Sequence, residues 1–323
     1  MLPRFSYVRP TTVDDAIKQL TSPGARVHAG GTDLLGCLRD EVLGTDKLVS
    51  IAGIKELRGV APTAEGGMRI GALTTLAEIA ANPEIATHYP ALAQGAGAAA
   101  SPQLRNQGTI GGNLCQRPRC WYFRGQFHCA RKGGELCYAA EGENQFHCIF
   151  GGDVCFIVHP SDTAPALVAH EALVRIAGPA GTRVVPIERF FVPPSVDFTR
   201  ETILEPSEIL TEIVLRPPLP GSRGGYRKVR ARGGWDFALA GVATTLQLRD
   251  GRVERARIVL SGAAPVPWRV PAAEEALVGS RLDAASAARA AEAAVRGAEP
   301  LAENGYKVDL FRGVIEEHLL ALA

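Results

Sequence analysis

Six of the seven cysteines of this 323-residue chain, Cys115, Cys120, Cys129, Cys137, Cys148 and Cys155, crowd into residues 115–155. Hydrophobic periodicity collapses over the same region. From Ser101 to about Pro160, Gly, Arg, Cys and aromatic residues dominate, and no apolar pattern fixes a helix or a strand across most of it. A structureless segment of that length is foreign to a compact domain unless something other than an apolar core orders it. Four readings of the cysteines are open. Disulfides suit small secreted domains, yet Met1-Leu2-Pro3-Arg4-Phe5 carries no apolar signal region and the chain is large. Structural zinc favours closely paired cysteines, whereas the successive spacings here are 5, 9, 8, 11 and 7. An iron–sulfur cluster takes four thiolates and tolerates wide gaps. Buried, inert thiols are the fourth reading.

The rest of the chain is ordinary in composition. Apolar residues make up 46% and charged ones 21%, which excludes bulk disorder. The net charge of +1 gives no reason to expect a nucleic-acid or anionic-membrane partner. The longest stretch without Asp, Glu, Lys or Arg, Ile85 to Leu104, is mostly Ala and Gly and contains Pro90 and Pro102, so no membrane span is expected. The lack of a leader points to the cytoplasm, or to export of the folded chain beside a signal-bearing partner into the periplasm.

At about 150 residues per domain, the length suggests two domains. The first quarter alternates short strands with helices: strands at Phe5–Arg9, Arg26–Ala29, Lys47–Ile51 and Met68–Gly71, helices at Thr12–Leu20, Thr74–Ala81 and Pro90–Ala100. Beyond the cysteines, Phe156–Val158 resumes regular structure and Ser161-Asp162 caps a helix through His170. Ala172–Ala177 reads as a strand ended by Gly178-Pro179-Ala180-Gly181. Further strands follow at Glu208–Leu215, Tyr226–Arg232, Ala238–Leu248 and Ala256–Leu260, with an Asp250-Gly251 hairpin turn, and then two helices, Leu282–Gly297 and Tyr306–Leu322. The pattern is α+β, with a boundary near residue 178.

Two glycine loops carry the clearest chemistry. In Ala29-Gly30-Gly31-Thr32-Asp33-Leu34-Leu35, adjacent glycines between a strand and a helix start let backbone N–H groups converge on an anion such as a diphosphate. Asn106-Gln107-Gly108-Thr109-Ile110-Gly111-Gly112-Asn113 has the same ingredients. Two such loops in one domain suggest one extended phosphate-bearing ligand held from both sides. Plain turns are the bland alternative. Gly95-x-Gly97-x-x-Ala100 resembles a nicotinamide fingerprint but sits in a helical pattern, and it is set aside. Around the cysteines, Arg117, Arg119, Arg124, Arg131 and Lys132 could offset the charge of a thiolate-ligated cluster, or form a solvated basic loop. His128 and His147 each precede a cysteine and could be metal ligands, but read rather as exposed loop histidines; His159 reads as structural, and Lys228, taken alone, as a solvent-facing strand lysine. No Ser/His/Asp elbow, H-E-x-x-H or P-loop is present.

Taken together, A-G-G-T-D-L-L, T-I-G-G-N at Thr109–Asn113, H-P-S-D at His159–Asp162 and Y-R-K-V-R at Tyr226–Arg230 resemble the FAD-binding medium subunit of the xanthine dehydrogenase and carbon monoxide dehydrogenase group. Asn113-Leu114-Cys115-Gln116-Arg117-Pro118-Arg119-Cys120 is similar to the subset with a cluster-bearing insertion, the flavin subunits of periplasmic aldehyde oxidoreductase and 4-hydroxybenzoyl-CoA reductase. The resemblance implies an FAD-binding domain of the vanillyl-alcohol-oxidase (PCMH) type in two subdomains, residues 1–177, with an inserted loop at about 114–156, and a smaller α+β domain, residues 178–323. It implies FAD held by Ala29, Gly30, Gly31, Thr32, Asp33, Leu34, Thr109, Gly111, Gly112 and Asn113, with Asp162 contacting the cofactor and Lys228 near the flavin. It implies a [4Fe–4S] cluster on Cys120, Cys129, Cys137 and Cys155, with Cys148 competing with Cys129. The chain is then an electron-transfer subunit of a heterotrimeric molybdenum hydroxylase. A [2Fe–2S] small subunit and a molybdenum-cofactor large subunit are its partners, and an external acceptor takes the electrons. The assembly oxidises an aldehyde or an aromatic heterocycle, and no residue here acts on substrate. A zinc-stabilised structural subunit and a stand-alone flavin oxidase are the rival readings.

Overall fold

The computed structural model describes residues 2–323, which form three sheets. The first is parallel, in the order β1-β3-β2, with β1 at Ser6–Val8, β2 at Ala25–His28 and β3 at Lys47–Ser50. Helix Val13–Leu20 carries the chain from β1 to β2 as its sequence dictates. Thr12 Oγ1 accepts the Asp15 amide at 3.2 Å, Asp14 and Asp15 lie at the positive end of the helix, and Ala16, Ile17 and Leu20 are buried.

The second sheet is antiparallel: β4 (Val60–Pro62), β5 (Met68–Gly71), β6 (Leu173–Gly178), β7 (Gly181–Pro186) and β8 (Ile209–Leu215), in the order β4-β5-β8-β6-β7. The boundary expected near residue 178 falls in the β6–β7 turn. Because β8 is hydrogen-bonded between β5 and β6, the first unit runs on to Leu215. A glycine-proline turn looks the same in sequence whether it closes a hairpin or links two domains; only the pairing of β8 tells them apart. Arg216-Pro217-Pro218-Leu219-Pro220-Gly221 is the connection to the third sheet.

That sheet runs β12-β11-β10-β9, from β9 (Ser222–Val229), β10 (Ala240–Arg249), β11 (Arg252–Ser261) and β12 (Trp268–Arg269). Asp250 and Gly251 both have positive φ, +52° and +72°, as a two-residue hairpin turn requires. Helices Pro271–Leu277, Ala284–Val295 and Tyr306–Leu320 close a core on it around Val242, Ile258, Leu260, Ala290 and Phe311.

Residues 101–160 lie between the two units. They contain only short helices, Pro102–Gln107, Ile110–Leu114 and Trp121–Arg124, and one turn of 3₁₀ helix at Ala130–Lys132. Phe156–Val158 joins no sheet. Polar clamps supply much of the order. On one side Asp33 accepts the Arg117 amide and the Arg124 guanidinium, each at 2.8 Å. On the other, Asn144 and Glu303 exchange two hydrogen bonds at 2.9 Å, and Asn304 Nδ2 donates to the carbonyls of His147 and Cys148. Ile149 and Phe150 are buried in the C-terminal core, worth about 1.5–3 kcal/mol each. Among the described residues no helix is long and apolar enough to cross a membrane.

Candidate functional site

The first glycine loop runs from the end of β2 into helix Leu34–Arg39. Gly31 has φ +73°, where a side chain is strained. Gly30 lies so close to the second loop that a Cβ on it would overlap the Gln107 carbonyl oxygen, and Gln107 Nε2 donates to the Gly30 carbonyl at 3.3 Å. In the second loop Thr109 Oγ1 accepts the Gly112 amide at 3.1 Å and starts helix Ile110–Leu114, while Gly111 packs on Ala72. Among the described residues, no protein acceptor takes the backbone amides of Gly30, Gly31, Thr32 and Asp33. The two loops wall one cavity of about 540 Å³ that Ala29, Gly30, Gly31, Thr32, Asp33, Leu34, Thr109, Gly111 and Gly112 all line. That size and concavity suit a cofactor-sized ligand.

Three of the expected residues sit elsewhere. Asn113 Oδ1 accepts from Ser161 Oγ and Thr163 Oγ1, both at 2.6 Å, and so fastens the second loop to helix Thr163–Ala169. Asp162 and Lys228 lie outside the wall of the large cavity and meet each other, Nζ to Oδ2 at 2.8 Å, both buried. Lys228 is therefore not the solvent-facing lysine that its strand alone suggests. Tyr226, on the same face of β9, donates to Asp162 Oδ1 at 2.7 Å, and Lys228 also reaches the Ala98 carbonyl at 3.2 Å. Burial pushes the Asp162 carboxyl above the usual carboxylate range, against the pull of the Lys228 ammonium. Asp33 keeps a place in the cavity wall, but its carboxylate is taken by Arg119 and Arg124, both at 2.8 Å.

A second, small hollow collects Cys120, Cys129, Cys137 and Cys155, together with Tyr122, Phe123, Arg131 and His147. Cys148 is buried outside it, against Gly152. No three His, Cys, Asp or Glu side chains among the described residues converge as a single metal ion would need. A cubane cluster spaces its thiolates more widely than one ion does, so a shared hollow is the relevant geometry. Burial pushes the Cys120 thiol up to about 11. Cys155 is held down to about 6, by a hydrogen bond from the Cys137 thiol and by the Arg131 guanidinium. Burial drives Cys148 up to about 12, the behaviour of an inert thiol. His147 is buried, not exposed as its position in the sequence suggests, with Nε2 3.3 Å from Cys120 Sγ.

The expected solvated or cluster-facing arginines are mostly in ion pairs. Arg117 and Arg131 meet Glu201 at 2.8 and 2.5 Å, and Arg119 and Arg124 meet Asp33. Sequence reasoning missed Glu201, which stands in Thr199-Arg200-Glu201-Thr202 with no motif around it. It also missed Tyr226, for which the two-residue spacing to Lys228 was an available signal. Cys37 and Cys115 both line the large cavity, and Arg124 Nη1 donates to Cys37 Sγ at 2.9 Å.

Residues 3–218 match the family described as FAD binding domain in molybdopterin dehydrogenase, and residues 225–322 match the CO dehydrogenase flavoprotein C-terminal domain. The chain is 37% identical over 309 residues to the aldehyde oxidoreductase FAD-binding subunit of Escherichia coli, covering 94% of this chain and 93% of that one. It is 30% identical to the carbon monoxide dehydrogenase medium chain of Hydrogenophaga pseudoflava, over 92% of this chain and 88% of the relative. A solved carbon monoxide dehydrogenase from that organism superposes with a TM-score of 0.79 at 28% identity, covering 100% of this chain and 98% of the other. Quinoline 2-oxidoreductase from Pseudomonas putida 86 gives 0.78 at 25% identity, with the same coverage.

Proposed function

The chain belongs to the family of FAD-binding medium subunits of the xanthine dehydrogenase and carbon monoxide dehydrogenase group, and from that premise we propose how its two cavities divide the work of an electron-transfer subunit. As a flavoprotein subunit of a molybdenum hydroxylase complex it is part of an oxidoreductase. The large cavity takes FAD. What carries this is the meeting of the two glycine loops around one space of about 540 Å³, with four consecutive amides, Gly30 to Asp33, free of protein acceptors. Those amides suit the oxygens of a diphosphate, and Thr109, Gly111 and Gly112 close the other side. Asp162 and Lys228 are assigned to the flavin end by the family resemblance. Their buried ion pair, 2.8 Å between Nζ and Oδ2, is a charge pair held in place by the protein itself.

The hollow at Cys120, Cys129, Cys137 and Cys155 takes a [4Fe–4S] cluster in this proposal. Its donor set fits: four cysteines line one space, flanked by Tyr122, Phe123 and Tyr138. All four cysteines come from the 101–160 segment, which polar clamps fasten to both units. When bound, the two groups supply one- and two-electron chemistry; the protein's work is to hold, orient and electrostatically tune them.

In the assembly, this chain receives electrons from a [2Fe–2S] partner subunit after a molybdenum subunit has oxidised an aldehyde or an aromatic heterocycle, and it passes them to an external acceptor. The similarity to an aldehyde oxidoreductase subunit favours the aldehyde. Purification of the chain with whatever binds it, followed by flavin, iron and molybdenum analysis, tests the reading. One FAD per chain and four iron atoms beyond those of the [2Fe–2S] subunit are expected, with an iron–sulfur subunit and a molybdenum subunit in the complex. A colourless chain holding one zinc overturns it.

A further inference from the structure

The two cavities are joined by one buried ion pair. Glu201 lines the large cavity, Arg131 lines the cysteine hollow, and Arg131 Nη1 meets Glu201 Oε1 at 2.5 Å. The side chains are 1% exposed for Arg131 and 9% for Glu201, so salt and water screen the pair little. Arg117 forms a second ion pair with Glu201, Nε to Oε2 at 2.8 Å, and also lines the large cavity. At the other end Arg131 shares the lining of the hollow with Cys155 and its positive charge draws that thiol down, while its buried Nε has no hydrogen-bond partner among the described residues. The nearby acid Asp33 is already engaged by Arg119 and Arg124, so Glu201 is the carboxylate that holds Arg131 in place.

We propose that Arg131 sets the reduction potential of the iron–sulfur site and that Glu201 is the positioning residue which holds it there and places its own negative charge in the wall of the flavin cavity. The inference rests on the two cofactors proposed above. A thiolate-ligated cluster becomes more negative when it takes an electron, so a guanidinium fixed beside one of its ligands favours the reduced form and raises the potential. The Glu201 carboxylate opposes that effect and, standing in the wall of the large cavity, also disfavours added negative charge there. Removal of either charge therefore acts in opposite directions on the cluster, and only Glu201 acts strongly on both sites.

The test is a redox titration of the purified complex, with the cluster followed by electron paramagnetic resonance and the flavin by absorbance. Arg131→Gln is expected to lower the cluster potential and leave that of the flavin nearly unmoved. Glu201→Gln keeps an acceptor for Arg131 but removes the charge; it is expected to raise both potentials. Glu201→Asp is expected to return both toward wild type, and the double variant to bring the cluster back near its starting value. Shifts in the same direction for both single variants, or none in variants that keep their iron and flavin, overturn the inference and leave the proposed function standing. A wild-type complex in which this chain itself holds no iron–sulfur cluster overturns both. If Arg131→Gln does not accumulate, Glu201→Gln alone decides, and an unchanged or lowered cluster potential sinks the idea.

Discussion

Gly30 has no room for a side chain, because its backbone touches the Gln107 carbonyl of the neighbouring loop. Gly30→Ala is expected to part the loops at a cost of about 1–3 kcal/mol, which is roughly 5- to 150-fold weaker flavin retention. Equilibrium dialysis of the flavin checks it, with iron content as the control, since the cysteine hollow lies apart from this contact. At the hollow itself, Cys120→Ser, Cys129→Ser, Cys137→Ser and Cys155→Ser are each expected to cost most of the bound iron, whereas Cys148→Ser keeps it. Iron per chain in five purified variants decides this, and full iron in Cys129→Ser would remove that residue from the set. That the glycine loops would share one cavity and four of the cysteines one hollow could be expected from the sequence, because such chemistry is written in the residue type. Asp33 and Asn113 were legible only in part. Both lie in the right loops, but their side chains hold arginines, Ser161 and Thr163, which depends on segments more than 45 positions away.

Among the elements, those with a full apolar period could be read. Helix Val13–Leu20 and strands β5, β8 and β10 stand close to where pattern and caps put them, because each turns one face to a core. Five- and six-residue helices such as Ile110–Leu114 and Pro83–His88 are too short to show a period. They are fixed by a local cap, Thr109 Oγ1 on the Gly112 amide and Asn82 Oδ1 on that of Ile85. The cysteine segment depends on clamps from the C-terminal unit, and Asn304 is the central one. It donates to His147 and Cys148 and accepts from the Leu301 amide at 2.7 Å. Asn304→Ala strands the Cys148 carbonyl and the Leu301 amide and leaves the His147 carbonyl to Lys307 Nζ alone; it is expected to destabilise the chain by about 2–3 kcal/mol. Urea unfolding measures the loss, and limited proteolysis should cut within residues 136–155 sooner than in wild type.

At the scale of the whole molecule, acid should unfold this chain well above the carboxylate range. His159, His170 and His318 are kept neutral by burial, at about 3, 4 and 4 against an ordinary 6.5. Between about pH 6.5 and 4 the unfolded chain binds more protons than the folded one. The stability these groups contribute is therefore whole above 6.5 and is lost as the pH falls through that window. The urea midpoint of the metal-free chain is expected to drop between pH 7 and pH 5, and an unchanged midpoint counts against the burial of these rings. The division into two units shows the same dependence on distant parts: a turn at residue 178 looked like a boundary until β8 was seen to pair across it. By itself the sequence determined the flavin class of ligand chemistry, the α+β pattern and the presence of a segment without apolar periodicity. These follow from residue types and from periods of two and 3.6 positions, which are local. Which glycines face one space, which four thiols share a hollow and which carboxylate joins the two sites were decided only by the tertiary structure. Those relations are distances between segments far apart in the chain, set by packing and ion pairing that no local pattern encodes.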